Sequence, residues 1–407
     1  MNIICPRETL NAAVTPALYA VSSKNTNIAI EGFLLVADKE SGTLTVCGYD
    51  LEKGIKVTLF GEHVQIKKSG KIIINAGKFS SIIRNLPEGD VFISADDNFV
   101  VTVTGGRSEF TVHGLDGEAF PLLPELKGEK SFKISQKTLK NMIVSTHFAI
   151  GMNNSRPDLN GALFEIKDNA INIVGVDGNR LAICRSFDGV ITEDSLDLSF
   201  IVPGKSLSEL LKLIGDGDEE VEIELSRKHV IIFFENIIYF SRLIESEFLD
   251  YRRPLGIDPK TSVVIDVKAF AESVERASLI TDDKQKTLVK LKFEKAGTNI
   301  ENRDDFGTLQ ITSATTIGKA CDECDIVMYG EEIEIGFNHR YLLDALKTIR
   351  DEKVLLKLEN PTKSMVIMPY SGDNKDEGES VDVTAYTSEE INGARYLYLV
   401  LPVRMRE

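Results

Sequence analysis

The sequence predicts an α+β fold of three similar domains, each with two helices on one face of an antiparallel sheet. Three observations lead to this prediction. The chain has 407 residues, more than the about 250–300 that one hydrophobic core usually serves. Four segments recur in the same order in each third of the chain, as in repeat architectures. Short stretches also alternate apolar and polar residues between turn signals, as half-buried strands do.

The first repeated segment is an amphipathic helix followed by an apolar strand. Its three copies cover residues 10–36, 139–166 and 270–293. The strand aromatics Phe33, Phe164 and Phe293 stand 131 and 129 residues apart. This spacing sets the length of one repeat.

The second repeated segment is a strand that enters a turn, at residues 43–50, 170–177 and 308–315. Asp50 and Asp177 occupy the turn in the first two copies, and Thr315 replaces them in the third. Paired carboxylates can act as acid and base or bind a metal, but equivalent turns of different repeats would lie far apart. We therefore expect hairpin turns in which each aspartate binds its own backbone.

The third segment is a helix followed by two strands, and the fourth is a strand that ends in an aromatic and proline-rich connection. Lys78, Lys205 and Arg340 take matching positions just inside the three helices. The fourth segment occurs at residues 109–124 and 239–256, and the corresponding strand of the third copy lies at residues 396–402.

These repeats predict domains at residues 1–125, 130–255 and 261–407, joined by polar linkers. Two polar stretches of the third domain, near residues 294–305 and 371–380, have no counterpart in the other copies. Both are expected to be mobile surface loops.

The net charge of −16 argues against general adhesion to nucleic acid or anionic membrane, but the charge is unevenly spread. The six predicted helices cover residues 7–24, 75–86, 135–150, 203–214, 267–280 and 338–350. They hold 13 basic and five acidic residues, so they carry +8 while the rest of the chain carries −24. Because glutamate favours helices as well as lysine does, this difference predicts a helical surface that faces a polyanion.

The cationic helices have no means of reading bases. No basic stripe with interleaved aromatics is present, so base stacking is not expected. Contact with the phosphate backbone alone would be independent of sequence and sensitive to salt.

The common catalytic and cofactor motifs are missing from the sequence. It has no GxxxxGK[ST] phosphate loop, no strand–GxGxxG–helix unit and no GxSxG turn. The five histidines form no metal-spaced group. The GDGDEE run at residues 215–220 lacks the calcium-loop pattern and indicates a solvated turn. No catalytic residue, metal or cofactor is therefore predicted.

The five cysteines are Cys5, Cys47, Cys184, Cys321 and Cys324. An odd, sparse set suggests reduced thiols in the cytoplasm. The first 20 residues are interrupted by charges where a secretory signal needs an apolar run, and residues 230–240 are too short to span a bilayer. Cys321 and Cys324 have ligand-like spacing, but a tetrahedral zinc site needs a second pair, so an incidental loop pair is expected.

Motifs spread over the whole chain resemble those of one protein family. Each motif alone is weak, but their joint order is specific. They are Gly48-Tyr49-Asp50-Leu51-Glu52, Arg84-x-Leu86-Pro87-Glu88-Gly89, Asp177-Gly178-Asn179-Arg180-Leu181-Ala182, Asp250-Tyr251-Arg252-Arg253, Ile335-Gly336-Phe337-Asn338 and Leu401-Pro402-Val403-Arg404. With them the chain resembles the bacterial DNA polymerase III β subunit, the sliding clamp.

The resemblance implies a non-catalytic processivity factor in the bacterial cytoplasm. Its clamp-type domains would form a head-to-tail homodimer closed into a ring around double-stranded DNA. A heterologous interface gives a ring rather than a fibre when its rotation closes. Positions that match the family's dimer contact are Phe110 and Val112 in the first repeat of one protomer. They would face Leu279 and Ile280 in the third repeat of its partner.

The resemblance also implies a partner-peptide pocket between the second and third copies. It would receive short motifs from the replicative polymerase subunit, the ATP-dependent clamp loader and other clamp-binding proteins of replication and repair. An apolar floor with a few polar groups suits that role. The matching positions are Leu159, Val176, Gly178, Asn179, Arg180, Leu181, Pro254, Tyr341, Ser364, Leu399, Leu401, Pro402, Val403 and Arg404. The DNA-facing positions carried over are Lys24, Lys78, Arg84, Arg156 and Lys205.

Two other hypotheses are weighed beside the clamp. A metal-dependent hydrolase using Asp50 and Asp177 predicts stoichiometric divalent metal and loss of turnover in Asp177→Asn. A repeat scaffold that binds only proteins predicts that charge reversal at Lys78, Lys205 and Arg340 leaves DNA-dependent activity intact.

Overall fold

The computed structural model describes residues 1–22, 28–61, 64–192, 195–281, 288–298, 305–370 and 386–404. In these ranges the chain forms seven α-helices. They are α1 (Arg7–Leu18), α2 (Ala76–Asn85), α3 (Gln136–His147), α4 (Gly204–Leu210), α5 (Val267–Ser278), α6 (His339–Leu346) and α7 (Ser388–Gly393). The six predicted helices are confirmed, and α7 is an addition.

Side-chain caps fix where several helices begin. Asn75, Asp266 and Asn338 each accept a hydrogen bond from a backbone N–H in the first turn of α2, α5 and α6. Such caps satisfy donors that the helix leaves free at its N-terminus. Helix α7 starts with a capping box between Thr387 and Glu390, a signal that the sequence already contained.

All six predicted helix ends are too late, and those of α1, α4 and α6 by the most. Helix α1 ends at Leu18 rather than at residue 24. Pro16 lies inside it and cannot donate a hydrogen bond, and the N–H of Tyr19 bonds the carbonyl of Pro16 at 3.0 Å in a tighter turn. Helices α4 and α6 likewise end at Leu210 and Leu346, and tighter turns with bonds between residues three apart follow them.

Each repeat supplies eight or more strands in the described residues. The first holds β1 (Asn2–Pro6), β2 (Gly32–Asp38), β3 (Thr43–Tyr49), β4 (Lys53–Leu59), β5 (Gln65–Lys68), β6 (Gly70–Asn75), β7 (Asp90–Ala95), β8 (Val100–Gly105), β9 (Ser108–His113) and β10 (Leu115–Asp116). The second holds β11 (Lys130–Ser135), β12 (Gly161–Lys167), β13 (Ala170–Val176), β14 (Arg180–Ser186), β15 (Asp197–Pro203), β16 (Glu220–Leu225), β17 (His229–Phe234) and β18 (Ile237–Arg242). The third holds β19 (Thr261–Asp266), β20 (Val289–Thr298), β21 (Asp305–Thr315), β22 (Gly318–Gly330), β23 (Ile333–Phe337), β24 (Lys353–Leu358), β25 (Met365–Pro369) and β26 (Tyr396–Val400).

These strands form three antiparallel sheets. Their orders are β5-β1-β7-β8-β9, then β10-β6-β2-β3-β4-β18-β17-β16-β11, and β15-β12-β13-β14-β26-β25-β24-β19-β22-β21-β20-β23. The β4–β18 pair joins the first and second repeats in one sheet, and the β14–β26 pair joins the second and third. Sheets therefore run on from one repeat to the next.

The chain divides into two compact units, and the second repeat contributes to both. The first unit comprises Met1–Lys140, Val190–Asp194 and Lys205–Glu245, and it contains the five- and nine-stranded sheets. The second comprises Asn141–Gly189, Ser195–Gly204 and Ser246–Glu407, and it contains the twelve-stranded sheet.

One position in each repeat shows why helix and sheet pack so closely. A side chain at Gly48 would come within 2.2 Å of the Ala17 carbonyl oxygen, and one at Gly175 within 2.5 Å of the Thr146 carbonyl oxygen. Only glycine lets a strand approach a helix backbone this far. The third repeat has Ser313 at this position, and its hydroxyl donates a hydrogen bond to the Ala277 carbonyl.

The loop predicted near residues 294–305 is wrong in its described part. Strand β20 runs to Thr298 and β21 starts at Asp305, so the two strands lengthen their hairpin instead. Residues 299–304 and the other polar stretch, at 371–380, lie outside the described residues.

Candidate functional site

The predicted backbone-binding turns are confirmed. Asp177 Oδ1 accepts hydrogen bonds from the N–H groups of Asn179 and Arg180, at 2.8 and 3.1 Å. Asp50 Oδ1 accepts equivalent bonds at 3.0 and 2.8 Å in the first repeat. Thr315 takes the same role in the third, since its hydroxyl accepts from the N–H of Ile317 at 3.3 Å. These side chains are turn acceptors, so the carboxylate pair that the hydrolase hypothesis needs has no structural support.

The Asp177 turn also fixes one cation. Asp177 Oδ2 accepts from Nε of Arg180 at 2.9 Å. Gly178 within the turn has φ +95°, a conformation that favours glycine. Arg180 therefore leaves the turn with its side-chain direction already set.

The Arg180 guanidinium is held between the second and third repeats, inside one compact unit. Its Nη1 donates to Oδ2 of Asp344 at 2.5 Å. Its carbon lies 4.6 Å from the ring centre of Tyr341 and 5.3 Å from that of Phe148. Only 12% of the Arg180 side chain is exposed. Two carboxylates and two aromatic faces together stabilise the charge that burial would otherwise disfavour.

Phe148 and Asp344 are residues that the sequence interpretation missed. Tyr341 and Asp344 stand three residues apart on α6 and therefore share a helix face. That spacing was visible in the sequence, but its position opposite Arg180 depends on how the two repeats pack.

The segment after β26 is bonded to both repeats. The N–H of Leu401 donates to the Asn179 carbonyl at 2.9 Å, and that of Val403 donates to the Gly336 carbonyl at 2.8 Å. Pro402 is half-buried, whereas Arg404 and Leu401 are exposed. The exposed apolar residue Leu401 is thus bonded through its backbone to the turn that precedes Arg180.

Buried apolar groups lie under this region. Leu181 pairs with Leu399 across β14 and β26, and both are buried. Val176 and Ser364 are buried as well. An apolar floor with one oriented cation is the general form of a peptide-binding site.

Two other predicted pocket residues lie on separate loops of the same unit. Leu159 is buried in a 3₁₀ turn, and Pro254 is exposed. Just before Pro254, the Tyr251 hydroxyl donates to Glu165 at 2.5 Å and Arg252 Nη2 donates to it at 3.0 Å. Burial raises the pKa of the Tyr251 hydroxyl, and its hydrogen bond to Glu165 raises it further, so Tyr251 stays a neutral donor that anchors the loop.

Three of the predicted DNA-facing cations are exposed on helices of the first unit. Lys78 and Arg84 lie on α2, and Lys205 lies in the first turn of α4. None of the three takes part in an ion pair with another described residue. Their charges are therefore available to an external anion.

The three helices α1, α2 and α4 share one region of that unit. Helix α1 packs on α2, and Arg7 Nη1 donates to the Arg84 and Leu86 carbonyls, each at 3.4 Å. Lys212, which follows α4, lies 4.8 Å from the ring centre of Tyr19, which follows α1. Cations from two repeats thus collect on one set of packed helices.

The other two predicted DNA-facing residues, Lys24 and Arg156, do not add an exposed cation without an ion pair to this set. Lys24 lies outside the described residues. Arg156 is exposed, but its Nε and Nη2 bond the two oxygens of Asp158 at 3.2 and 2.7 Å. This hydrogen-bonded pair raises the pKa of Arg156 and compensates its charge locally.

Most cations on the remaining helices are paired. On α3, Lys137 and Lys140 lie 3.6 and 2.9 Å from Asp218 and Asp216 of the acidic turn. The pairs of the third repeat are Lys268 with Glu272 at 3.9 Å, Lys347 with Glu275 at 2.9 Å, and Arg276 with Asp322. Within the part of the chain that the structure describes, Lys78 and Arg84 on α2 and Lys205 on α4 are thus exposed helix cations without an ion pair.

The predicted dimer residues of the first repeat lie at an open sheet edge. Strand β9 ends the five-stranded sheet. Phe110 and Val112 face Val103 and Val101 across β8, both fully buried. Phe110 and Val112 thus continue the row of buried valines to the edge of the sheet, where 39% of Phe110 is exposed.

The predicted dimer residues of the third repeat adjoin a second open edge. Among the described residues, β22 meets β19 only from Val327 to Gly330, so its first part has a free side. Leu279, directly after α5, is 81% exposed, and Ile280 is half-buried. An exposed strand edge with apolar side chains is a template for pairing with another chain.

The cysteine pair lies on a strand rather than in the expected loop. Cys321 and Cys324 both belong to β22, where Cys321 is exposed and Cys324 is buried. Three residues along a strand reverse the face, so the two thiols cannot bind one metal ion. Within the described residues, no group of three or more His, Cys, Asp or Glu side chains could hold a metal. In that same part of the chain, no helix is long and apolar enough to cross a membrane.

The fold and these surfaces define the class of protein: three clamp domains in a row, each with helices on antiparallel sheet. Family models of the DNA polymerase III beta subunit match in succession, the N-terminal domain at residues 1–124, the central domain at 133–250 and the C-terminal domain at 253–379. The beta sliding clamp of Halalkalibacterium halodurans is 31% identical over 384 residues, covering 92% of this chain and 97% of that protein. The chain belongs to the DNA polymerase III beta subunit family, the bacterial sliding clamps.

Solved structures agree over the full length. The DNA polymerase sliding clamp of Bacillus subtilis aligns with a TM-score of 0.87 at 26% identity, covering 100% of both chains. A sliding clamp of Pseudomonas aeruginosa bound to griselimycin aligns with a TM-score of 0.83 at 26% identity, also over 100% of both chains. The predicted fold class and family are confirmed.

Proposed function

We propose that the protein is a ring-shaped processivity factor that encircles duplex DNA and tethers a DNA polymerase to it. The match of three successive clamp-domain models to this one chain carries the proposal. A closed ring cannot leave the duplex sideways, so each contact with DNA can be weak. Weak phosphate contacts are independent of sequence and permit sliding.

Two copies of the chain close the ring head to tail. The open edge of β9, with Phe110 and Val112, meets the open edge of β22, with Leu279 and Ile280. Because the two surfaces are unlike, the interface is heterologous, and closure after two copies avoids a filament. Each copy supplies three domains, at residues 1–125, 130–255 and 261–407.

The DNA-facing surface consists of helices, with Lys78, Arg84 and Lys205 as its strongest contacts. Their side chains are exposed and form no ion pair with another described residue, as a phosphate contact requires. Lys24 and Arg156 belong to the same surface by resemblance. The acidic remainder of the molecule repels DNA from other faces.

The region around Arg180 and Leu401 receives short peptide segments of partner proteins. The buried floor takes apolar side chains, and the guanidinium takes a carbonyl or carboxylate oxygen. Partners of this pocket are the replicative polymerase subunit, the ATP-dependent clamp loader and other clamp-binding proteins. The Pseudomonas aeruginosa relative binds griselimycin, and we propose this compound as a small probe of the pocket in the present protein.

This role requires neither catalysis nor a cofactor, and it belongs in the bacterial cytoplasm where DNA is replicated. Asp50 and Asp177, the carboxylates that a hydrolase would need, accept hydrogen bonds from their own turns instead. The unpaired cations of α2 and α4 favour a DNA partner over a scaffold that binds proteins alone.

Removing residues 401–407 tests the pocket. The deletion takes away Leu401, Val403 and their hydrogen bonds to Asn179 and Gly336, but it leaves β9 and β22 in place. We expect polymerase binding to be lost in a pull-down while gel filtration still gives the dimer. Polymerase binding at the wild-type level would contradict the pocket, and a shift to monomer would contradict its separation from the dimer interface.

A further inference from the structure

We propose that Asp344 is a positioning residue for the peptide pocket and that it orients the Arg180 guanidinium toward an incoming peptide. The proposal rests on the pocket described above and adds a residue of α6 to it. Arg180 remains the group that touches the peptide, and Asp344 acts through it.

The geometry of a planar cation carries this proposal. A guanidinium anchored at one nitrogen can pivot about that bond, whereas two anchors fix its plane. Asp177 supplies the first anchor at Nε, 2.9 Å away, from the same turn as Arg180. Asp344 supplies the second at Nη1, 2.5 Å away, from another repeat. Removal of Asp344 leaves only the anchor that the turn provides.

The remaining nitrogen of Arg180 defines what it can bind. Nε and Nη1 have acceptors, and Nη2 has none among the described residues. Nη2 is therefore a donor for a backbone carbonyl or a side-chain carboxylate of a peptide. Its direction follows from the plane that Asp344 helps to set.

Asp344 is placed so that it can be changed without loss of packing. Its side chain is 43% exposed, and it lines a cleft of about 420 Å³ between α5 and α6. Glu275 lines the same cleft and pairs with Lys347 at 2.9 Å, away from Arg180. Glu275→Gln is therefore a control that removes a carboxylate from the same surface.

The test measures binding of full-length variants to the replicative polymerase subunit and to griselimycin by calorimetry. We expect Asp344→Asn to weaken both about three- to tenfold, the range for a partly exposed charged pair that orders a binding group. Asp344→Glu should restore part of the loss because it keeps the carboxylate. Glu275→Gln should bind both probes with wild-type affinity. The melting temperature and the sedimentation coefficient of each variant should also stay at wild-type values.

A double-mutant cycle separates positioning from a general structural effect. In an Arg180→Lys background, Asp344→Asn should change affinity by less than about twofold, because the fork that it orients is gone. An unchanged affinity of the single Asp344→Asn variant would overturn the proposal. An equal loss in both backgrounds would overturn it too. A wild-type protein that binds neither probe would overturn the pocket itself.

Discussion

Equivalent residues in the first two repeats explain why the second repeat has the guanidinium site and the first does not. Asp50 and Asp177 make the same turn, and each binds the cation three residues later, Lys53 at 2.8 Å and Arg180 at 2.9 Å. Lysine ends in a compact ammonium group, whereas the arginine fork has separate nitrogens, and a second one reaches another acceptor. The exchange of lysine for arginine thus allows the second repeat to contact Asp344.

A surface pair in the third repeat gives a pH-dependent prediction. The Arg276 guanidinium beside Asp322 holds the pKa of that carboxyl below its usual range. A carboxyl with a lower pKa in the folded state stabilises the fold above the unfolded value of about 3.9, and the contribution is lost as pH falls through the folded pKa. We expect Asp322→Asn to lower the melting temperature at pH 7, with the difference from wild type shrinking at acidic pH.

Calorimetry between neutral and strongly acidic pH measures this difference. Asp325→Asn is the matched control, because Asp325 is exposed on the same strand and takes part in no ion pair with another described residue. A difference between Asp322→Asn and wild type that does not change with pH would contradict the assigned role.

The sequence named candidate residues for the proposed pocket, but not the contacts among them. The resemblance identified Arg180, Tyr341 and Leu401 from motifs. Asp344 and Phe148 escaped because their role depends on the packing of one repeat against the next. Ion pairs between helices could not be predicted for the same reason. Glu275 on α5, for example, pairs with Lys347 after α6.

Among the elements, helix starts were more predictable than helix ends. Caps at Asn75 and Asn338 are local and visible in the sequence. The end of α1 depends on Pro16, and those of α4 and α6 on turns that tighten gradually. The extension of the β20–β21 hairpin was not predicted, because its outer residues are polar and lie beyond the buried part of the sheet.

The uneven pairing of cations predicts which helices hold DNA. Lys78→Gln with Lys205→Gln removes two uncompensated charges, whereas Lys268→Gln with Lys347→Gln removes two that already have carboxylate partners. We expect the first pair to weaken duplex binding and to lower the salt-dependence slope by about 0.9 for each phosphate that is no longer neutralised. The second pair should have little effect.

Titration of a DNA duplex at several salt concentrations gives these slopes. Sedimentation of both variants controls for intact dimers. Equal loss of DNA binding in the two variants would show that pairing within the third repeat does not decide where DNA is held.

At the scale of the whole molecule, repeats and compact units do not coincide. The second repeat is shared because β18 pairs with β4 of the first and β14 pairs with β26 of the third. These pairs join strands far apart in sequence, which local patterns do not specify. The repeat length was readable from the sequence, whereas the particular strand pairs that join one repeat to the next were not.

The proposed interface predicts a monomeric variant. Leu279→Asp with Ile280→Asp places two charges at the apolar end of α5, and burying them against Phe110 of a second copy would be costly. We expect a folded monomer by analytical ultracentrifugation. Leu122→Asp is the control, because Leu122 is 94% exposed and lies outside the proposed interface. An unchanged sedimentation coefficient of the double variant would contradict the interface.

In the proposed function, the protein holds DNA by enclosing it. The most direct measurement is retention on DNA after loading, compared between a closed circular duplex and the same duplex linearised at one site. We expect the protein to stay with the circle through gel filtration in high salt and to slide off the ends of the linear form. Equal loss from both forms would contradict a topological link.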